Sequence, residues 1–411
     1  MINKNNEKGL TLIELMVTVF IASLMLIAVF QMFIAQKELY VSTGITSEAQ
    51  NNARIALDTI QRDLMKAGFG IDPATAFPFF NFDTLTAIEL DAINGPDTLQ
   101  FFAREQSPLP GALEDGCPVH LPGAAEADVS RHFYWKIATA VPIGGDTGAL
   151  KISVCKNFEL RKGTFLLAMC YGGGTYAFMR YQDQTITAGM AGDKDIAVKI
   201  LYFVRNKEYP PTFLDSNVLA DTCFQGGTAG LFRVNFYRYY VCDSAVDAAN
   251  CGNIPYLMLD TGMDLTGEST VDIKDHIPVA EGIEDMQIAY ALFNGNVFGG
   301  AGGTQATSNY FSLIAPAYCD GVYEDTTCRA GSTTSARPQD LYGNTVGIRI
   351  SLVARSDSPD PAGGLNARPA LENHPAGATQ DKFRRVVLQT TIPIVNTLTT
   401  RSFFFFNLVG L

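Results

Sequence analysis

The sequence contains few basic residues for its length. Lysine and arginine together number 30 against 42 aspartate and glutamate residues, and the formal net charge is −12. Because nucleic-acid binding depends on a surplus of Lys and Arg, this balance argues against nucleic acid as a partner. The chain also has no apolar run of bilayer-spanning length after Gln36, which excludes a multi-span membrane protein.

Common catalytic and phosphate-binding motifs are also missing. The chain has no H-E-x-x-H, no G-x-S-x-G and no Walker-type loop. Its four histidines are widely spaced, and none lies beside a plausible nucleophile. The acidic stretch 260–275 carries oxygen ligands of the kind calcium prefers but fits no EF-hand loop, so it favours a solvated acidic loop, with a calcium site as the alternative. We therefore predict no catalytic residues, no metal and no cofactor.

The most informative segment is an apolar run near the N-terminus. Residues 10–35 contain one charge, Glu14. About 20 helical residues cross the hydrocarbon core of a membrane. A carboxylate placed there costs about 2.5–3.5 kcal/mol on insertion scales, and such residues are functional by default. No small-residue cleavage site follows the run, unlike in a secretory signal peptide, and the two preceding lysines favour a cytoplasmic N-terminus with the rest of the chain exported.

The helix predicted for this run continues beyond it. Apolar residues recur at gaps of three or four, which is the period of one helix face. They are Ile45, Ala49, Ala53, Leu57, Ile60 and Leu64. Gly68, Gly70 and Pro73 then end the pattern. The sequence predicts one helix from Leu10 to about Ala67, apolar all round in its first half, amphipathic in its second, and weakest at Gly44.

The rest of the chain predicts β-structure, because short segments rich in β-branched and aromatic residues alternate with turn residues. The predicted strands are 97–104, 149–155, 163–170, 175–181, 196–205, 232–241, 283–293, 346–355 and 383–395. In 346–355 apolar residues alternate with Arg349 and Ser351, which indicates a half-buried antiparallel strand. Segments 294–309, 330–338 and 356–380 predict surface loops. The four phenylalanines 403–406 favour a strand buried on both faces, with an exposed sheet edge as the alternative.

Cysteine usage is typical of an exported protein, because all the cysteines follow the apolar run and an oxidising compartment would allow up to four disulfides. The candidate disulfide cysteines are Cys117, Cys155, Cys170, Cys223, Cys242, Cys251, Cys319 and Cys328. Two local pairs, Cys242 with Cys251 and Cys319 with Cys328, would each close a small polar loop. Metal binding and free thiols are the alternatives, although the C-x-x-C spacing of zinc sites is absent.

The segment GLTLIELMV, residues 9–17, resembles the processing and methylation motif of type IV prepilins and pseudopilins. The resemblance implies that a prepilin peptidase cuts between Gly9 and Leu10 and methylates the new amine of Leu10, where the family usually has phenylalanine. It also implies a role for Glu14 in subunit assembly. Its carboxylate would be neutralised by the N-terminal amine of a neighbouring subunit, and because an unpaired buried charge costs several kcal/mol, this pairing would set the axial register.

Further patches resemble the PilW-type minor pilins, among them NNARIALDTIQRDLMKAGFG (51–70), VAEGIEDMQIAYAL (279–292) and FRRVVLQTTI (383–392). The resemblance implies an α+β, type IV pilin-like fold, in which a long N-terminal helix packs on a large antiparallel β-rich domain. The expected organisation is a leader (1–9), the helix (10–68, with 10–35 in the membrane or filament core) and an exported domain (69–411).

The function implied is that of a minor pilin, not an enzyme, which helps to initiate a type IV pilus and lies at or near its tip. The implied partners are the prepilin peptidase, other minor pilins, the major pilin and, as often in the family, a tip adhesin. The protein would cross the inner membrane once, with its domain in the periplasm, before it joins a pilus at the cell surface. The alternative is a minor pseudopilin of a type II secretion system.

Overall fold

The computed structural model shows one long helix and a domain of antiparallel strands, as the sequence predicts. It describes residues 11–71, 76–78, 90–104, 135–142, 149–154, 160–170, 175–182, 195–204, 212–213, 229–244, 251–268, 270–292, 297–301 and 345–396. The predicted loop 330–338, the phenylalanine-rich segment 403–406 and the pair Cys319 and Cys328 lie outside these residues.

Helix α1 spans Leu12–Leu64, 53 residues without interruption, which is about 80 Å at 1.5 Å per residue. The predicted continuous helix is confirmed, although it ends at Leu64 rather than Ala67. Residues 11–41 are exposed on every side. From Ser42 onward one face turns to the domain. Four residues of the predicted apolar stripe are buried, namely Ala49, Ala53, Ile60 and Leu64. The other two, Ile45 and Leu57, are half-buried, and Ala56, which is not part of the stripe, is also buried.

The larger sheet has ten strands, and β8 is its centre. Its strands are β1 (Leu99–Arg104), β2 (Trp135–Pro142), β3 (Ala149–Val154), β4 (Phe165–Cys170), β5 (Tyr176–Tyr181), β6 (Asp195–Val204), β7 (Thr212–Phe213), β8 (Ala229–Cys242), β9 (Tyr256–Asp260) and β10 (Ile277–Glu281). The main order is β10-β9-β8-β2-β3-β6-β5-β4, and β4 also pairs with β8, so that six strands close into a ring.

The smaller sheet has four strands in the order β12-β11-β13-β16. The remaining strands are β11 (Ile283–Leu292), β12 (Val297–Phe298), β13 (Thr345–Arg355), β14 (Asn366–Ala367), β15 (Gln380–Asp381) and β16 (Arg385–Pro393). β10 leads directly into β11 through Gly282, which has a φ of +74°. A Cβ at this glycine would lie 2.6 Å from the carbonyl oxygen of Arg355, so this corner between the two sheets requires glycine.

Strand β13 corrects the half-buried prediction, because both of its faces are covered. α1 lies over one face. On the other, Ser351 and Val353 are fully buried beneath residues 356–384, which we call the strap. Glu372 of the strap accepts two hydrogen bonds of 2.7 Å from Arg349 and one of 3.1 Å from Ser351. Much of the segment 356–380 is exposed, as the predicted surface loop requires, but Ser356, Asp360, Leu371 and His374 are buried.

The acidic stretch 260–275 is also not a solvated loop. Asp260, Asp264 and Asp275 are buried, and their carboxylates accept hydrogen bonds from backbone N–H groups of the same stretch. Asp275, for example, accepts from Leu265 at 2.7 Å and from Thr266 at 2.9 Å. Within the described residues, no group of three or more His, Cys, Asp or Glu side chains could hold a metal ion. These carboxylates instead satisfy backbone groups that a tight turn leaves unpaired.

The local disulfide predicted between Cys242 and Cys251 is confirmed, with 5.4 Å between the two Cα atoms. Cys242 is the last residue of β8 and Cys251 precedes β9. The bond therefore closes the connection between two paired strands and limits the entropy of the unfolded chain. Cys170, at the end of β4, is also disulfide-bonded. The predicted sites Cys117, Cys155 and Cys223 lie outside the described part of the chain.

Replacing glycine with alanine should have opposite effects on stability at two positions. Gly163 has a φ of +86°, and a Cβ there would lie 2.1 Å from the carbonyl oxygen of Gly262, whereas Gly44 in α1 has nothing within 4 Å. We expect Gly163→Ala to destabilise the domain by about 2–3 kcal/mol and Gly44→Ala to stabilise the helix by up to about 1 kcal/mol. Urea unfolding of the full chain in detergent checks both. Equal stability of Gly163→Ala and wild type would contradict the close turn-to-turn approach.

Candidate assembly site

The predicted assembly residue, Glu14, lies in the first turn of α1 and takes part in its cap. Thr11 is the N-cap, with extended backbone dihedrals. One carboxylate oxygen of Glu14 accepts hydrogen bonds from the backbone N–H of Thr11 at 3.0 Å and from its hydroxyl at 3.1 Å. The N–H of Glu14 in turn donates to the Thr11 hydroxyl at 3.3 Å. This reciprocal arrangement is a capping box.

The cap gives Glu14 hydrogen-bonding partners within its own subunit. A carboxylate in the first turn is also favoured by the positive end of the helix dipole. The predicted processing residues Gly9 and Leu10 lie outside the described residues, directly before Thr11. Thr11 is the hydrogen-bonding partner of Glu14 that the charge-based argument missed. Its signal was present in the sequence, because T-x-x-E before an apolar run is the pattern of a capping box.

The helix that follows carries an apolar surface with nothing packed against it in the isolated chain. Leu12 is 78% exposed and Phe33 is 65% exposed, and the side chains between them are exposed as well. Among the described residues this is the one helix long and apolar enough to cross a membrane. Exposing so many large apolar side chains to water is unfavourable at about 25 cal/mol per Å². Lipid or other apolar helices around residues 12–35 would remove this cost, which fits membrane anchoring.

The second half of α1 is attached to the domain by polar contacts at both of its ends. Near the start, the Ser42 hydroxyl donates to a carboxylate oxygen of Asp360 at 3.0 Å. The same oxygen is paired with the guanidinium of Arg384, just before β16. Burial of Asp360 opposes ionisation, but the hydrogen bonds from Arg384, Ala362 and Ser42, with the charge of Arg384, together lower the pKa of this carboxyl. An ionised Asp360 thus joins α1 to the strap.

Near the end of α1, Asp63 makes a second attachment. It accepts a hydrogen bond of 2.7 Å from the hydroxyl of Tyr239 on β8 and a salt bridge of 2.8 Å from Lys66. Burial of the Tyr239 hydroxyl, together with its bond to Asp63, raises the pKa of this phenol. For Lys66, burial lowers the pKa, but the hydrogen bond to Asp63 and the charges of Tyr237 and Asp63 together raise it above its usual value.

A third attachment involves the segment after β16. The side-chain amide of Asn396 donates to the carbonyl oxygen of Met65 at 2.9 Å, where the carbonyl groups that end a helix lack intrahelical partners. Together these contacts fix α1 along the domain from Ser42 to Met65. The apolar half of α1 therefore projects from the part of the helix that is attached to the domain, and it carries the Thr11–Glu14 cap at its N-terminal end.

The two histidines in the described part of the chain, His276 and His374, are not brought together. In the described structure, Nδ1 of His276 lies 2.6 Å from the Tyr240 hydroxyl, and Nδ1 of His374 lies 2.9 Å from the buried carboxylate of Asp285. Each histidine thus has a partner within the fold. His120 and His132 are outside the described residues.

Comparison with known protein families gives two matches. Residues 4–30 match the prokaryotic N-terminal methylation motif, which includes Gly9, Leu10, Thr11 and Glu14. Residues 238–396 match PilW, the type IV pilus-assembly protein W. This second match extends from β8 through the strap and β16. No curated protein and no solved structure matches the chain.

The two matches lie on the two parts of the fold described above. One covers the cap and the exposed apolar helix, and the other covers the sheet against which the second half of α1 packs. Both agree with an α+β, pilin-like architecture and with a structural rather than catalytic role. This combination of motif, domain match and fold is consistent with a PilW-type minor pilin of the type IV pilin-like superfamily.

Proposed function

We propose that the protein takes part in initiating a type IV pilus and is incorporated at or near the pilus tip. Before this, a prepilin peptidase cuts between Gly9 and Leu10 and N-methylates Leu10. The observation that carries the proposal is the helix itself. Its apolar half, exposed on all sides, is continuous with a half that is fixed to a PilW-type domain.

Such a helix suits both environments that a pilin occupies. In the inner membrane, residues 10–35 span the lipid once, with the leader 1–9 in the cytoplasm and the domain 69–411 in the periplasm. In the filament, the same apolar surface packs among the helices of other minor pilins and the major pilin. Because the domain is attached only from Ser42 onward, it does not obstruct this packing. A tip adhesin is a further expected partner of the assembled complex.

Glu14 determines how an incoming subunit aligns with its neighbour. In the single subunit its carboxylate is satisfied by Thr11. In a bundle of apolar helices it pairs with the N-terminal amine of a neighbour, because opposite charges attract strongly where water is excluded. This pairing selects the axial register of the incoming subunit.

Mass spectrometry of sheared surface filaments and of membranes tests the proposal. A peptide that begins at methylated Leu10 in the filaments supports a processed pilus subunit. The same peptide confined to membranes, together with lost protein secretion rather than lost pili in a deletion strain, would instead indicate a type II secretion pseudopilus. An uncut N-terminus in both fractions would overturn the pilin function.

Leader cleavage should depend on the small residue at the cut. We expect Gly9→Val to leave the chain unprocessed, because a branched side chain at this position blocks access of the peptidase to the peptide bond. Immunoblotting of membranes would then show only the longer form. Lys8→Gln serves as the control for a change beside the site and should be processed. A normally shortened Gly9→Val protein would contradict the assignment of the cut.

A further inference from the structure

Strand β16 is an open sheet edge. It is the last strand of the smaller sheet and pairs with β13 from Arg385↔Arg355 to Pro393↔Gly347, without a break in register. No backbone hydrogen bond from another described segment reaches its outer side. A sheet edge of this kind presents a row of N–H and C=O groups that can pair with another strand.

The residues that face outward can be identified from one hydrogen bond. The N–H of Ile394 donates to the carbonyl oxygen of Val346 at 2.9 Å. Because bonded and non-bonded pairs alternate along antiparallel strands, the even-numbered residues of β16 bond to β13. The backbone groups of Val387, Gln389 and Thr391 therefore point away from the sheet, and the side chains of these three residues are exposed.

The other edges of the two sheets are protected in ways that β16 is not. β10 is five residues long and contains Pro278 and an irregular register. β12 and β7 have two residues each. The outer side of β1 is bonded to the turn after α1, through Gly68 and Phe69. Short strands, proline and bulges are the usual means of preventing edge pairing.

β16 has none of these protections over most of its length. Its nine residues include no bulge, and its proline is the final residue. Between Arg385 and Pro393 the sequence VVLQTTI contains no charge and is rich in β-branched residues, which favour strand pairing. An uncharged, regular edge of this length is an aggregation hazard when it stays uncovered.

The position of β16 indicates which surface covers it. Its start lies near Ser42, through Arg384 and Asp360, and its end lies near Met65, through Asn396. The open edge thus follows the attached half of α1. The apolar half of α1, which continues the same helix, is the part that packs among neighbouring subunits in the proposed function. A neighbour that packs along α1 is therefore placed beside β16.

We propose that the outer edge of β16, residues 386–392, pairs with an extended strand of a neighbouring pilin-type subunit. This inference rests on the proposed function, because the neighbour is brought there by helix packing. Main-chain hydrogen bonds to Val387, Gln389 and Thr391 hold the added strand. The partner strand is uncharged where it faces VVLQTTI, since a charge there would lose solvation without gaining a counter-ion.

Photocrosslinking in the native cell tests the pairing directly. A photoreactive phenylalanine analogue replaces Val387, and the matched control replaces Leu365, which is 63% exposed on the strap but off the edge. Irradiated membranes and filaments are then analysed by mass spectrometry. The expected product joins position 387, and not position 365, to a strand-forming segment of another chain with an N-terminal methylation motif. A crosslink from 387 to residues 397–411 of the same chain, or no crosslink, overturns the proposal.

A pair of substitutions makes the test specific for the strand edge. Thr391→Pro removes an outward N–H while sparing the bonds to β13, and Thr391→Val keeps the N–H. We expect at least a tenfold loss of the 387 crosslink for proline and none for valine, with unchanged circular dichroism for the purified full chain. A full crosslink in Thr391→Pro contradicts edge pairing. The crosslinking readout does not require pili, so it tests edge pairing independently of the proposed function. The proposed function is contradicted instead if a deletion strain still makes pili.

Discussion

Replacing Glu14 with alanine is expected to leave leader cleavage intact and to reduce surface pili at least tenfold. The peptidase recognises the chain around Gly9, so a processed protein should still accumulate in membranes. Assembly should fail because the carboxylate proposed to pair with the neighbour's N-terminal amine is gone. That amine would then enter the helix bundle without a counter-charge, which costs several kcal/mol.

The Glu14 carboxylate both accepts hydrogen bonds in the helix cap and carries a negative charge, and a second variant separates these two properties. Glu14→Gln keeps an oxygen that can accept the hydrogen bonds from Thr11 but removes the charge. If charge pairing drives assembly, glutamine should fail as alanine does. If only the helix cap matters, worth about 1 kcal/mol, glutamine should assemble normally.

The measurement is a count of pili by electron microscopy, with immunoblots of the processed subunit. Thr11→Val is a further control, because it removes the hydroxyl of the cap but not the charge, and we expect it to reduce pili less than Glu14→Ala does. Normal numbers of pili on Glu14→Ala cells would contradict the assembly role.

The sequence predicted the elements whose pattern is local. The 3.6-residue stripe after Ile45 became the buried face of α1, and all nine predicted strands are present with ends shifted by three residues or fewer. The disulfide between Cys242 and Cys251 followed from short spacing and the even cysteine number. In each case the information lies within a few residues of chain, where periodicity and turn chemistry act.

The features that the sequence did not predict depend mainly on contacts between residues that are far apart in the chain. The strap has the composition of a loop, but Glu372 pairs with Arg349 and Asp360 with Arg384, so the carboxylates of Glu372 and Asp360 are buried. Strands β2, β9 and β10 were not among the predicted strands; β10 contains Pro278, which usually argues against a strand. The carboxylates of 260–275 bond to nearby N–H groups, and composition alone cannot distinguish this from solvation.

The strap also contains the contact with the largest expected effect on stability. Asp285 on β11 is fully buried, and one of its carboxylate oxygens is 2.7 Å from a guanidinium nitrogen of Arg368 on the strap. The same oxygen is 2.9 Å from His374, and Gln287 donates to the other oxygen at 2.9 Å. Arg368 additionally donates to the carbonyl oxygens of Pro369 and Pro375, so it joins the sheet to two points of the strap.

Arg368→Ala is therefore expected to lower the free energy of unfolding by about 3–5 kcal/mol, because it leaves a buried carboxylate without its main counter-charge. Urea unfolding of the full chain in detergent, followed by circular dichroism, measures it. Lys274→Ala is the matched control, since its pair with Glu268 is exposed and should contribute little to stability. The double variant Arg368→Ala with Asp285→Asn removes the stranded charge and should recover much of the loss. If Arg368→Ala were no less stable than Lys274→Ala, the buried pair would not hold the strap to the sheet.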